Sequence, residues 1–189
     1  MSNALKIETR GSATIVRFTR PEIRNPLSVF VLEELQSTVE GLTRNCERLI
    51  FTGRDGVFAS GADLREIAGV TADESREFAL RGQRLMSSIE RLECLTIAAV
   101  NGYCFGGALD LALSCKVRIA QPQAVFAHPG TGLGIITGWG GTQRLPRLVG
   151  RGNALEMFMT AGRFNADQAL RMGLVDKIVE DAVSAAVEW

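Results

Sequence analysis

Thr96-Ile-Ala-Ala-Val-Asn-Gly-Tyr-Cys-Phe-Gly-Gly-Ala-Leu-Asp-Leu-Ala-Leu-Ser114 reads as a strand, a turn and a helix. The apolar run 95–100 is too brief for a helix of its own, Asn101-Gly102 breaks it, and the small residues Gly106, Gly107 and Ala108 open the next apolar run. The first amides of a helix lack intrahelical partners and lie at the positive end of its dipole. A helix that begins on glycine therefore lets a partly negative oxygen approach its backbone closely. Asp110 follows Gly107 by about one turn, which places a carboxylate beside any oxygen held there. The same residues admit a plainer reading: paired glycines at a strand-to-helix junction permit close packing, and the dipole alone favours an acid in the first turn.

Outward from this stretch, the chain alternates short strands with helices. Toward the N-terminus, 6–8 and 13–18 form a hairpin signal around Arg10-Gly11-Ser12, and Arg20-Pro21 ends the pairing. Val29, Leu32, Leu35, Val39 and Leu42 follow helical spacing behind a Ser28 N-cap. A β-rich run at 48–52 leads into a glycine-containing loop at 53–61, then a short helix from Asp63 whose first free amides lie near Ala62. Thr71-x-x-Glu74 is a capping box, and Phe78, Gly82, Leu85, Ile89 and Leu92 mark the buried face of the helix it starts. Toward the C-terminus come strands at 116–120 and 124–127 and a loop at 129–141 carrying six glycines. Helices at 142–148, 153–160 and 166–172 and a strand at 175–179 follow, with Gly162 and Gly173 as stops. The alternation predicts an α/β fold with mostly parallel sheet.

Composition narrows the function. With 46% apolar residues in 189, the chain can bury a sizeable core. Its 21 basic and 21 acidic residues balance, so no basic stripe points to nucleic acid or an anionic membrane surface. Residues 1–10 hold no apolar signal core and no run reaches membrane-spanning length, which gives the expectation of a cytoplasmic protein. Cys46, Cys94, Cys104 and Cys115 make no C-x-x-C pair and there is one histidine, so no zinc or other metal site is expected. Neither nucleotide-binding glycine fingerprint is present, nor is a G-x-S-x-G elbow. His128, beside a proline, reads first as structural.

Phe58-Ala-Ser-Gly-Ala-Asp-Leu64, Ile97-Ala-Ala-Val-Asn-Gly-Tyr103, Gly106-Gly-Ala-Leu-Asp-Leu-Ala112 and Gly138-Trp-Gly-Gly-Thr-Gln-Arg-Leu145 resemble the crotonase superfamily, the enoyl-CoA hydratase/isomerase family. With Arg20-Pro21 and Asn25 near the start and 166–179 near the end, the resemblance covers nearly the whole chain. It implies one crotonase-like domain over 1–189, a spiral of repeated ββα units, assembled as a homotrimer or hexamer. It also implies acyl-CoA thioester substrates, with coenzyme A as part of the substrate and no separate cofactor. The family's oxyanion-hole amides carry over to Ala62 and Gly107, and its first catalytic carboxylate to Asp110. Arg24, Pro26, Ser60, Asp63 and Leu64 would lie along the CoA and thioester path. Tyr103, Phe105, Gly106, Pro129 and Gly130 would lie nearer the acyl group.

Two departures shape the functional expectation. Hydratases of the family carry two glutamates where this chain has Asp110 and Gly130, and hydration needs both a base for water and an acid for the α-carbon. The C-terminal helical region of longer relatives is absent or truncated at Trp189. The sequence therefore leaves two classes open. One is an enzyme acting through an enolate, with isomerisation favoured over hydration. The other is a non-catalytic acyl-CoA-binding or assembly subunit. Whether His128 takes part also stays open.

Overall fold

The computed structural model describes residues 4–42 and 45–189; residues 1–3, the start of the stretch read for a signal core, and 43–44 lie outside the described part. The chain runs Leu5–Arg10 (β1), Ala13–Phe18 (β2), Pro26–Leu27 (β3), Val29–Glu40 (α1), Arg48–Thr52 (β4), Val57–Ala59 (β5), Gly61–Ala62 (β6), Leu64–Gly69 (α2), Ala72–Arg91 (α3), Leu95–Val100 (β7), Tyr103–Phe105 (β8), Gly107–Ser114 (α4), Val117–Ala120 (β9), Val125–Ala127 (β10), Gly141–Thr160 (α5), Phe164–Asn165 (β11), Ala166–Arg171 (α6), Lys177–Ile178 (β12) and Ala182–Glu188 (α7).

A six-stranded sheet has the order β1-β2-β4-β7-β9-β12, antiparallel at the β1–β2 hairpin and parallel throughout the rest. A second sheet of four strands, β11-β10-β8-β5, stands apart from it, and β3 pairs with β6. The chain visits the sheets in turn: β4 then β5, β7 then β8, β9 then β10, each pair leading to helix. This is the α/β spiral of repeated ββα units expected from the resemblance.

Both faces of the inner strands β2, β4, β7 and β9 are buried, as a parallel sheet requires, while the hairpin edge strand β1 is largely exposed. Along β4, Leu49 and Phe51 face the main core while Ile50 faces a second cluster; along β7, Ala98 and Val100 divide from Ile97 and Ala99 in the same way. Helices α1, α3 and α4 contribute to the main core. The second cluster is closed by Ala182 and Ala186 of α7, which packs on β4, β7 and β9. The apolar segment 182–189 thus buries its small residues against the sheet, leaving Trp189 partly exposed.

Local chemistry explains the helix starts. Ser28 accepts from the amide of Val31 at 3.3 Å, and Thr71 and Glu74 form the reciprocal capping box. Five short strands were not anticipated. Strand β5 sits inside the expected loop 53–61 and β6 at its end, β8 sits inside the turn before α4, and β3 and β11 precede α1 and α6. At two or three residues they are too short to carry a periodic pattern, and only pairing with distant strands defines them. The expected break between 148 and 153 falls at Gly150 (φ 81°, ψ 159°), inside an otherwise continuous α5.

Trp139 is the piece that ties the helices together. Its indole is 3% exposed, and a Cβ added at Gly82 of α3 or at Gly107 of α4 would collide with it. Gly82→Ala should therefore destabilise by about 1–3 kcal/mol in denaturant unfolding, as overpacking does. Gly69→Ala, where a Cβ meets nothing within 4 Å, is the control expected to be neutral or slightly stabilising.

Candidate active site

The site forms where β6 meets the start of α4. Gly61 takes a positive φ of 87°, and a Cβ there would lie 2.6 Å from the Phe105 carbonyl oxygen and 2.7 Å from the Gly107 nitrogen. The two segments therefore touch backbone to backbone, which only glycine allows. Asn25 fixes this contact from below. It is buried, its side-chain amide donates to the carbonyls of Val57 (3.2 Å) and Phe58 (3.0 Å), and its oxygen accepts from the Arg20 amide at 2.7 Å.

A cavity of about 360 Å³ opens over the junction. All three residues assigned from sequence to catalysis line it: Ala62, the last residue of β6, Gly107, the first residue of α4, and Asp110 one turn on. Ser60, Leu64, Gly106, Pro129 and Gly130 line it as well. The other expected contacts lie outside its lining. Arg24 is exposed in a left-handed turn (φ 64°), Pro26 pairs β3 to β6, and Asp63 caps α2 and holds Arg65 at 2.9 Å. Tyr103 and Phe105 share the face of β8 opposite to buried Cys104, with their rings 5.5 Å apart and Arg163 over Phe105. The remaining walls are mostly apolar, with Phe78, Ile136, Trp139 and Phe158 prominent.

Asp110 is fully buried. Its Oδ2 accepts from the Thr137 hydroxyl, and its Oδ1 has no hydrogen-bond partner. Burial pushes this carboxyl up to about 7, against the opposing pull of Thr137, the Arg144 guanidinium and a backbone N–H at Trp139. Arg144 is itself committed to Glu90 (2.8 Å) and to the Trp139 carbonyl (3.1 Å). A carboxyl poised near neutrality can both take and give a proton, the property a general acid–base needs.

The structure brings two further polar residues here: Thr137, which sequence reasoning did not place, and His128, which it left open. Thr137 arrives from the glycine-rich loop, and His128 sits 3% exposed with its Nε2 3.6 Å from Asp110 Oδ1. Burial lowers the imidazole to about 4, so it is neutral at pH 7. Its being the one imidazole in the chain was the available signal. Among the described residues no cluster of side chains could hold a metal ion, and no helix is long and apolar enough to cross a membrane.

The two shifts oppose each other in the stability of the protein. The folded carboxyl of Asp110 lies above its ordinary 3.8, so its contribution is full below that value and is lost as pH rises toward 7. The folded imidazole lies below its ordinary 6.5, so its contribution is full above that value and is lost as pH falls toward 4. Each slope is worth up to roughly 3–4 kcal/mol, and together they nearly cancel. In urea unfolding between pH 4 and pH 6.5 these two groups should thus add little net pH dependence in the unmodified protein to that of the surface carboxyls held low by their partners, such as Glu8, Glu74 and Asp181. Stability should rise with pH in Asp110→Asn and fall with pH in His128→Asn.

The sequence matches the Enoyl-CoA hydratase/isomerase family over residues 8–189. It is 41% identical over 181 residues to the short-chain-enoyl-CoA hydratase of Clostridium acetobutylicum, a match that covers 94% of this chain and 69% of that protein. The structure superposes on the enoyl-CoA hydratase of Bacillus anthracis with a TM-score of 0.93 at 35% identity, covering 98% of this chain and 74% of that one. A Thermobifida fusca protein crystallised in complex with CoA is similar at 28% identity and a TM-score of 0.88, over 98% of this chain and 76% of its own. With glycines, cavity and buried carboxyl arranged as described, and a match spanning nearly its whole length, this chain belongs to the enoyl-CoA hydratase/isomerase family.

Proposed function

We propose that the protein binds acyl-CoA thioesters and moves a double bond along the acyl chain through an enolate, with Asp110 carrying the proton. The observation behind this reading is one unpartnered carboxylate oxygen, Asp110 Oδ1, in an apolar cavity one helical turn from the amide of Gly107. The thioester oxygen lies between the amides of Ala62 and Gly107, which donate more strongly as negative charge develops on it. Donors of this kind each supply roughly 3–4 kcal/mol to a barrier. Ser60, Leu64, Gly106, Pro129 and Gly130 flank the thioester and acyl group, and Arg24, Pro26 and Asp63 belong to the path of the CoA outside the cavity.

Isomerisation is preferred to hydration because the second carboxylate is missing. Asp110 is the only carboxylate lining the cavity among the described residues, and a Cβ at Gly130 would lie 2.8 Å from the Ile135 carbonyl oxygen. Moving a proton between two carbons does not require a group that orients water; adding water does. Hydration is the second reading, favoured by the activity in the name of the Clostridium protein. Assayed beside that protein, this one should isomerise a 3-enoyl-CoA and hydrate crotonyl-CoA about 100- to 10,000-fold more slowly. Asp110→Asn should abolish turnover and leave saturable thioester binding intact, since the amides are untouched. Crotonyl-CoA hydration at the relative's rate overturns the isomerase preference. Binding without turnover of any thioester supports a non-catalytic subunit instead, and no binding at all overturns the reading.

The same reading extends to assembly as a homotrimer or hexamer. Leu155 and Met159, one turn apart on α5, are 56% and 70% exposed, and apolar surface of this kind marks interfaces when it is contiguous. Light scattering at micromolar concentration should give the mass of a trimer or hexamer of the chain; a monomer or dimer mass refutes it.

A further inference from the structure

We propose that His128 and Asp110 form a two-site proton carrier, in which imidazole Nε2 serves one carbon of the bound acyl chain and Asp110 Oδ1 serves the other. The substrate in this inference rests on the acyl-CoA reading above; the pair itself rests on geometry.

Both residues line the cavity, both are buried, and the two facing atoms are 3.6 Å apart. Neither atom has a hydrogen-bond partner. Buried polar atoms are satisfied almost everywhere in folded proteins, and an unsatisfied one needs an explanation such as a catalytic role or a missing ligand. Two of them facing each other across one cavity share a single explanation. The surroundings keep them in place. Thr137 holds Asp110 by its other oxygen, the Phe158 ring packs 5.0 Å from the imidazole, and the missing side chain of Gly141 leaves the space that Oδ1 occupies.

The separation also selects what the pair can do. Two hydrogen bonds of about 2.8 Å meeting at a water's tetrahedral angle put their outer atoms about 4.5 Å apart. At 3.6 Å the pair is too close to hold a water between its members in good geometry, yet an approach of well under 1 Å makes a direct hydrogen bond. It is built to pass a proton between its own members.

The cycle balances on that one proton. It begins with Asp110 protonated and His128 neutral. A C–H bond at the first carbon breaks, its proton goes to Nε2, and its electron pair enters the enolate held at the two amides. The Asp110 O–H bond then breaks, its proton forms a C–H bond at the second carbon, and the electrons return from the enolate as the double bond settles in its new place. A carboxylate and an imidazolium remain side by side, and the imidazolium returns its proton to Asp110. Nothing is oxidised or reduced, and no further reactant is used. The other titratable groups facing Asp110 are Arg144 of α5, held by Glu90 of α3, and Cys104 of β8, with Cys115 behind it; burial raises both thiols, so they stay protonated near neutral pH.

The chain has a single histidine, so its ring signals in an NMR titration report on this pair alone. In the unmodified protein those signals should step near pH 7 as Asp110 gives up its proton, and the step should vanish in Asp110→Asn. A 3-enoyl-CoA deuterated at the carbon that loses its proton gives the second readout. With two groups working, the proton delivered in the first turnover comes from the enzyme, so little label reaches the second carbon. In His128→Asn, or His128→Gln, Asp110 must take and return the same label. Intramolecular transfer should then rise severalfold while kcat falls about 100- to 10,000-fold. Turnover with no NMR step, or label transfer and kcat unchanged in the histidine variants, overturns the carrier and spares the isomerase reading. A step without turnover of any thioester supports the shared proton and overturns the isomerase reading.

Discussion

A side chain at residue 107 has no room, because the Trp139 indole fills its place. A side chain at Gly61 would run into the Gly107 nitrogen, and the same indole fills the space that a side chain at Gly82 would need. Three missing side chains thus let β6, α3, α4 and the glycine-rich loop converge on one point. Gly106, at φ 55° and ψ −121°, turns the chain from β8 into α4 immediately before it. Gly107, the first residue of α4, consequently lines the cavity as bare backbone, and the same contact packs the helix that carries Asp110.

The electrostatics follow from that convergence. Asp110 is on the first turn of α4, where the helix dipole favours a negative charge, but the packing that positions it also removes it from water. Burial is the larger effect, and the carboxyl rises despite Thr137 and Arg144. Arg144 does not complete an ion pair with it because Glu90 and the Trp139 carbonyl hold the guanidinium elsewhere. A direct pair would have kept the carboxyl ionised and left it a poor proton donor. The fold keeps a cation close enough to moderate the shift and far enough away not to cancel it.

Much of this was legible in the sequence because it depends on local rules. The β7 strand, the glycine-led helix and Asp110 one turn on are properties of a continuous stretch, and the capping box at Thr71 fixes the start of α3 without reference to anything distant. Strands β5, β6 and β8 were not legible because pairing alone defines them. That omission has a direct consequence at the site. Without β8 as a strand, nothing in the sequence says that Cys104 turns inward and Tyr103 and Phe105 turn away together, outside the cavity lining. His128 shows the same limit. Its residue type was visible, but its 3.6 Å approach to Asp110 depends on how β10 registers against β8, a tertiary fact.

Gly130 connects the local backbone to the proposed chemistry. The Ile135 amide donates to the Gly130 carbonyl at 3.0 Å, closing a tight loop, and the Ile135 carbonyl then occupies the space a side chain at 130 would need. The same loop brings Leu133, Ile135 and Ile136 to the cavity as an apolar wall. One backbone conformation therefore withholds a second carboxylate and lines the site with groups that do not hold water. In a cavity so lined, a proton lost from one carbon has few acceptors: Asp110 Oδ1 and His128 Nε2 are the two unpartnered buried side-chain atoms within reach. On the proposed reading, the preference for returning a proton to the substrate over adding water is a consequence of how residues 130–135 close on themselves.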